Sequence, residues 1–196
     1  MATPKATEGG VIPPDHRVFI YRIDAQDRVS FANGDWYAFA RENGASELTA
    51  SALIGRPLSD FLCHTETKHL LEILIQKVRR TQMTMVLPYR CDSPDCRRFM
   101  ELTVLPLPQS EVEFRSRILR EERREAVRLL GADTARTEAS LTMCGWCKKI
   151  ALPDGRWEEV EVAVAELDLF AAPSLPQIFH DICPQCGAAF SRWRHG

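Results

Sequence analysis

Residues 66–90, ETKHLLEILIQKVRRTQMTMVLPYR, decide the fold class, because the apolar period changes inside them. Up to Arg80 the side chains Leu70, Leu71, Leu74, Ile75 and Val78 recur at helical spacing, and Thr65 is a suitable N-cap. From Met83 to Arg90 the period is two, as it is again over Arg98–Leu107 (RFMELTVLPL), so two strands follow the helix. The intervening Cys91-Asp92-Ser93-Pro94-Asp95-Cys96 predicts a hairpin loop, with Asp92 and Asp95 as turn formers. Pro88 has no N–H to give a sheet, which predicts an edge strand or a bulge. A long helix beside antiparallel strands makes the chain α+β.

Working toward the N-terminus, Arg17–Asp24 (RVFIYRID) and Arg28–Ala32 (RVSFA) form a predicted hairpin. Asn33 opens a short helix bearing Trp36, Tyr37, Phe39 and Ala40, which Asn43-Gly44 ends. Residues 46–53 suggest a further helical turn, and Gly55 and Pro57 set a tight connection over 54–62. Working toward the C-terminus, Val112, Phe114, Ser116 and Ile118 alternate, which predicts a strand to about Leu119, while the Glu and Arg beyond suit a helix. Residues 131–141 (GADTARTEASL) are small and polar and predict a linker. A helical stretch over 158–167 and a proline-marked loop over 171–176 come next. The expected division is a disordered lead-in at 1–15, a domain at 16–122, a linker at 123–141 and a small module at 142–196.

The 196 residues are 45% hydrophobic and 27% charged with net charge −2, the balance of an ordinary globular protein with no strong overall pull on nucleic acid or anionic lipid. The lead-in has the look of neither a signal nor a transit peptide, and no apolar run reaches the ~18 residues of a membrane span. A cytoplasmic location with reduced thiols is therefore the expectation for its seven cysteines.

Four of those cysteines form two pairs, Cys144-Gly145-Trp146-Cys147 and Cys183-Pro184-Gln185-Cys186. Each C-x-x-C puts two thiols on one turn, and two such turns offer four sulfurs to one tetrahedral ion. Zinc suits that set; rubredoxin-type iron is the alternative. With four sulfurs bound no position stays open for water, so metal catalysis is disfavoured. Gly187 is expected to relieve crowding after the last ligand, and Lys148 and Lys149 to offset thiolate charge. His180, three residues ahead of Cys183, is a candidate for the shell behind the ligands.

The first part of the chain resembles a PAS sensor domain. The resemblance rests on RVFIYRID…RVSFANGDW, on Ile54-Gly55-Arg56-Pro57-Leu58 before the long helix, and on the paired strands MTMVLPYRCD and RRFMELTVLPL. It implies a PAS-like antiparallel sheet with helices on one side, whose pocket Trp36, Phe39, Phe61 and Leu62 would line. The tail, MCGWCKKI, then DGRW, then ICPQC, resembles the zinc-ribbon-like modules found beside PAS domains in bacterial signalling proteins. Together these imply a non-catalytic bacterial sensor or adaptor that binds a small ligand or a protein partner and self-associates as a homodimer. No stretch after Leu130 is long enough for a kinase, cyclase or DNA-binding output.

His64 and His69 are the candidates for a haem ligand, but a helix histidine is more often a surface residue, so haem is disfavoured. A flavin photoreceptor of this family needs a cysteine where Leu58 stands, and Cys63 comes too late. Cys91 and Cys96 suggest a second metal or a redox switch across the hairpin, but with no further His or Cys nearby two ordinary thiols are the expectation. A nucleic-acid-binding ribbon would present Lys148, Lys149, Arg156, Arg192 and Arg194, opposed by Glu158, Glu159, Glu161 and Glu166. The Arg115–Arg128 run is interleaved with Glu and predicts a solvated face. No serine–histidine–aspartate set and no phosphate-binding glycine loop occurs, so enzyme activity is not expected.

Overall fold

The structure, a computed structural model, describes residues 11–12, 16–62 and 65–195. Cys63, His64 and most of the lead-in lie outside these. The elements in chain order are β1 (Val11–Ile12), β2 (Val18–Ile23), β3 (Val29–Ala32), α1 (Gly34–Glu42), α2 (Ala50–Leu53), α3 (Thr65–Thr81), β4 (Met85–Arg90), β5 (Cys96–Pro106) and β6 (Val112–Arg123). There follow β7 (Arg136–Cys144), β8 (Ile150–Ala151), β9 (Trp157–Glu158), α4 (Val160–Glu166), β10 (Leu175–Asp181) and α5 (Pro184–His195).

The first sheet is antiparallel, in the order β3-β2-β6-β5-β4, with β1 on the far end of β6. Pro88 does lie on an edge strand. Asn33 performs two tasks at the start of α1. Its Oδ1 accepts from the Trp36 N–H at 2.9 Å and the Ile20 N–H at 3.1 Å, and its Nδ2 donates to Val18 O at 2.8 Å. The helix is thereby both capped and tied to β2. Leu70, Leu71, Leu74, Ile75 and Val78 are buried on one side of α3, and meet Leu87, Leu102, Val104 and Phe114 from the sheet. The opposite sheet face is closed by charge: Glu113, 1% exposed, accepts from Arg22 and Arg115, both at 2.5 Å.

Three expectations change. Residues Val11–Ile12 of the lead-in form β1, because β6 outruns β2 and leaves Glu121 and Glu122 a free edge to pair. The strand expected to end near Leu119 runs on to Arg123. Ion pairs Arg98–Glu121 at 2.9 Å and Arg97–Glu122 at 3.6 Å across the β5–β6 ladder replace the lost apolar alternation. The expected linker over 123–141 is instead structured at both ends. Leu129 is 1% exposed within a second small core, and β7 begins at Arg136.

The second sheet is ordered β10-β7-β8-β9. Its β10–β7 pair is parallel, Gln177 opposite Ser140 and Asp181 opposite Cys144, with β8, β9 and α4 as the crossover a parallel pair requires. The stretch Arg136–Leu141 lacks a strand-like apolar pattern, and its partner strand supplies the hydrogen bonds that make it one. Its small core holds Met143, Ile150, Val160, Val164 and Leu175. Cys144, Trp146, Cys183 and Phe190, however, belong to the main core beneath α3. The cysteine-bearing region is built into the first domain and is not a separate appendage. Among the described residues no helix is long and apolar enough to cross a membrane.

Candidate metal centre and adjoining cavity

The parallel register brings the two cysteine turns together. Asp181 pairs with Cys144, and its carbonyl accepts from the Gly145 N–H at 2.8 Å, so β10 delivers Cys183 to the end of β7. Cys183 directly precedes α5, whose first residue is Pro184, and Cys186 lies in that helix's first turn. Proline at the first helical position loses no bond, and the positive helix end favours the two thiolates.

The sulfurs of Cys144, Cys147, Cys183 and Cys186 all lie within 4.8 Å of one another. Sγ of Cys147 and Cys183 are 3.7 Å apart. A tetrahedron with zinc–sulfur bonds of about 2.3 Å has an edge of about 3.8 Å, so that spacing suits one ion. The Cys183 N–H points at Sγ of Cys144 and the Cys186 N–H at Sγ of Cys183, each at 3.4 Å. Such bonds favour sulfur in its charged, metal-binding form. The thiols also divide protons among themselves: donation from Cys147 and Cys186 draws the Cys144 thiol far down, and pushes the other two up. The residues therefore fit a four-thiolate ion.

Gly187 does not relieve crowding, since a Cβ there would meet only Ile182 Cγ2 at 3.9 Å. The tight position is Gly145, where a Cβ would come within 3.0 Å of Thr67 Oγ1 under α3. Lys148 adopts φ 64°, the left-handed conformation that turns the chain back so that the Cys144 N–H reaches Lys149 O at 2.7 Å. His180 stands on β10 opposite Met143 and is not one of the four converging ligands.

The first turn also docks on the sheet edge. Trp146 Nε1 donates to Pro88 O at 2.6 Å, and the Arg90 N–H donates to Trp146 O at 3.0 Å. The indole packs against Tyr89 and, edge-on, against Phe190 at 4.8 Å. Beyond it lies a cavity of about 360 Å³ between the sheet, α1 and α3. Of the four residues named for a pocket, Trp36 and Phe39 line this cavity, while Phe61 and Leu62 are outside its lining and pack against the main core. Tyr21, Tyr89, Cys91 and Lys148 line it as well. The alternation of Phe19 with Tyr21 could have pointed to the first of these; nothing local could have placed Lys148 there. Burial pushes both tyrosine phenols and the Cys91 thiol up, and pushes the Lys148 ammonium down from the ordinary lysine value.

His69 is exposed, 4.0 Å from Glu72. Cys91 and Cys96 are free thiols outside the four-sulfur group. Of the basic residues considered for nucleic acid, Lys148 lines the cavity and Arg156 is tied to Asp154, Glu158 and Glu166, while Arg192 is exposed.

No protein-family model and no curated protein matches this chain.

A charge cluster joins the two sheets. Asp92, expected to serve its own turn, bonds Arg90 instead and lies 3.4 Å from Arg124; Arg90 also reaches Glu159 at 2.6 Å. Glu161 accepts from Arg97 and Arg124, each at 2.6 Å. Burial alone would push the Glu161 carboxyl up, but these arginines and its own backbone N–H outweigh burial and hold it at about 2. A lowered folded-state pKa stabilises the fold above the unfolded value of ~4.3, and that contribution is lost as pH falls from there through the folded value. Urea midpoints measured over this range should fall with acid in the wild type, and Glu161→Gln should flatten the dependence. An unchanged pH profile in the variant would contradict the assignment.

Proposed function

We propose that the chain is a non-catalytic signal-sensing protein of bacterial type, in which a PAS-like domain binds a small ligand and a zinc ion at Cys144, Cys147, Cys183 and Cys186 holds the C-terminal region in place. The observation that carries this reading is a closed four-sulfur set beside an aromatic-lined cavity: one feature suited to structure, the other to recognition. The succession of two strands, short helices, one long helix and three strands supports the PAS-like part. A cytoplasmic setting would keep the thiols reduced, and output would pass through a protein partner or a homodimer.

Elemental analysis with an absorption spectrum tests the reading most directly. One zinc per chain, four thiols protected from a thiol reagent until chelation, and no visible band are expected. A visible thiolate-to-iron band would replace zinc with iron. Metal-free protein with four reactive thiols would favour a redox switch. Light scattering that returns a strict monomer at micromolar concentration would remove the homodimer.

A further inference from the structure

The cavity and the metal turn share residues. Gly145 and Trp146 lie between two ligands, Lys148 directly follows the second, and all three form part of the cavity wall. Another part of the lining is apolar and aromatic: Phe19 and Phe39 rings stand 4.4 Å apart, and Trp36 lines the cavity with them. A volume of about 360 Å³ falls in the range of small-molecule sites and suits one or two fused rings.

The polar side chains of the lining include the cations Lys148 and Arg90, the hydroxyls of Thr67 and Ser116, and one carboxylate, Asp92. The Lys148 ammonium carries three N–H bonds, one of which goes to Gly145 O at 2.8 Å. Among the described residues no carboxylate oxygen lies within 4.0 Å of Lys148 Nζ, although the Asp92 charge acts on it from further away. Asp92, the acid lining the cavity, is already engaged by Arg90 and Arg124. The phenol of Tyr21 adds a further hydroxyl, while that of Tyr89 is engaged with the Ser116 side chain. A ligand that satisfies this wall has a flat apolar body and an acceptor at one end, and a carboxylate matches an ammonium best.

The position of that ammonium depends on the turn. Lys148 holds a left-handed backbone within a turn closed by its own N–H to Cys144 O at 3.0 Å and by the Cys144 N–H to Lys149 O at 2.7 Å, and Trp146 in the same turn is clamped to β4. An ion gripping all four sulfurs stabilises this arrangement; without one, a lysine at φ 64° has a costly conformation and less to hold it.

We propose that this cavity takes an aromatic monocarboxylate, with its ring against Trp36 and Phe39 and its carboxylate on Lys148 Nζ, and that ligand and metal bind cooperatively through the Cys144–Cys147 turn. The proposal rests on the sensor reading above in taking the cavity as the ligand site. It adds the class of ligand and the role of the metal.

The test uses the full zinc-loaded chain, with 2-naphthoate and its neutral counterpart 2-naphthamide as probes in calorimetric titrations. Naphthoate should bind, and Lys148→Met should weaken it by about ten- to a hundredfold, the worth of one charge-assisted hydrogen bond. Naphthamide should bind more weakly and respond little to that substitution. Trp36→Ala should weaken both. Coupling is read on the intact protein by competing zinc against a chromophoric chelator with and without saturating naphthoate. Naphthoate should raise zinc affinity, because linkage is reciprocal, and Lys148→Met should abolish the increase. Equal affinity of Lys148→Met and wild type for naphthoate would overturn the ligand class, and zinc affinity indifferent to naphthoate would overturn the coupling; both leave the sensor reading standing. Failure of the loaded protein to bind either probe would remove this inference and the ligand-binding half of the sensor reading together.

Discussion

Cys183→Ser is expected to lose the metal and to lower the thermal midpoint by more than ten degrees. Cys183 is 1% exposed, sits 3.7 Å from the Cys147 sulfur, and carries on its own Sγ the N–H bond from Cys186. A serine oxygen is a poor fourth ligand for an ion bound by soft sulfur, and structural zinc sites in small domains contribute about 10–16 kcal/mol of apparent binding energy. Because Cys144, Trp146 and Cys183 belong to the main core under α3, the loss extends beyond the tail. Even ~4 kcal/mol shifts the midpoint of a 150–250-residue protein by roughly 8–16 °C. Metal content by elemental analysis and unfolding followed by circular dichroism provide the check. Cys91→Ser is the matched control, since Cys91 is outside the four-sulfur group, and it should keep one ion per chain. A Cys183→Ser protein that retains its metal and its midpoint would end the case for the centre.

Asp92→Ala should cost about 3–5 kcal/mol, the usual penalty for removing one partner of a buried ion pair. The Asp92 side chain is 2% exposed and those of Arg90 and Arg124 are 7% and 9%, so water cannot take its place. Arg90 would keep Glu159 and Arg124 would keep Glu161, each at 2.6 Å, which sets the loss near the lower end of that range. Asp92→Asn preserves a hydrogen-bond acceptor while removing the charge, and should fall between wild type and alanine. Urea unfolding of the three proteins decides the order. Alanine as stable as wild type would mean that the cluster is solvated in solution and does not join the two sheets.

Much of this architecture was legible in the chain because the signals are local. The change of period at Gln82 separates α3 from β4, Asn33 marks the start of α1, Pro88 marks an edge strand, and the two C-x-x-C turns identify all four converging sulfurs. Each depends on residues a few positions apart, where backbone preference and side-chain spacing act directly. The strand β7 was hidden for the opposite reason. Its polar residues have no strand pattern of their own and become one only because β10, some forty positions later, supplies a parallel edge. Asp92 read as a turn former, since nothing nearby announced that Arg124 and α4 would close over it.

The order of elements, the switch from helix to strand and the identity of the sulfur ligands are thus properties of the sequence itself, written in periodicity and in the chemistry of neighbouring residues. Only the tertiary structure decided that Trp146 clamps the metal turn to β4, that Lys148 lines the cavity and that Phe61 and Leu62 do not. Those outcomes depend on which surfaces meet, and that is settled by packing and charge pairing between segments far apart in the chain.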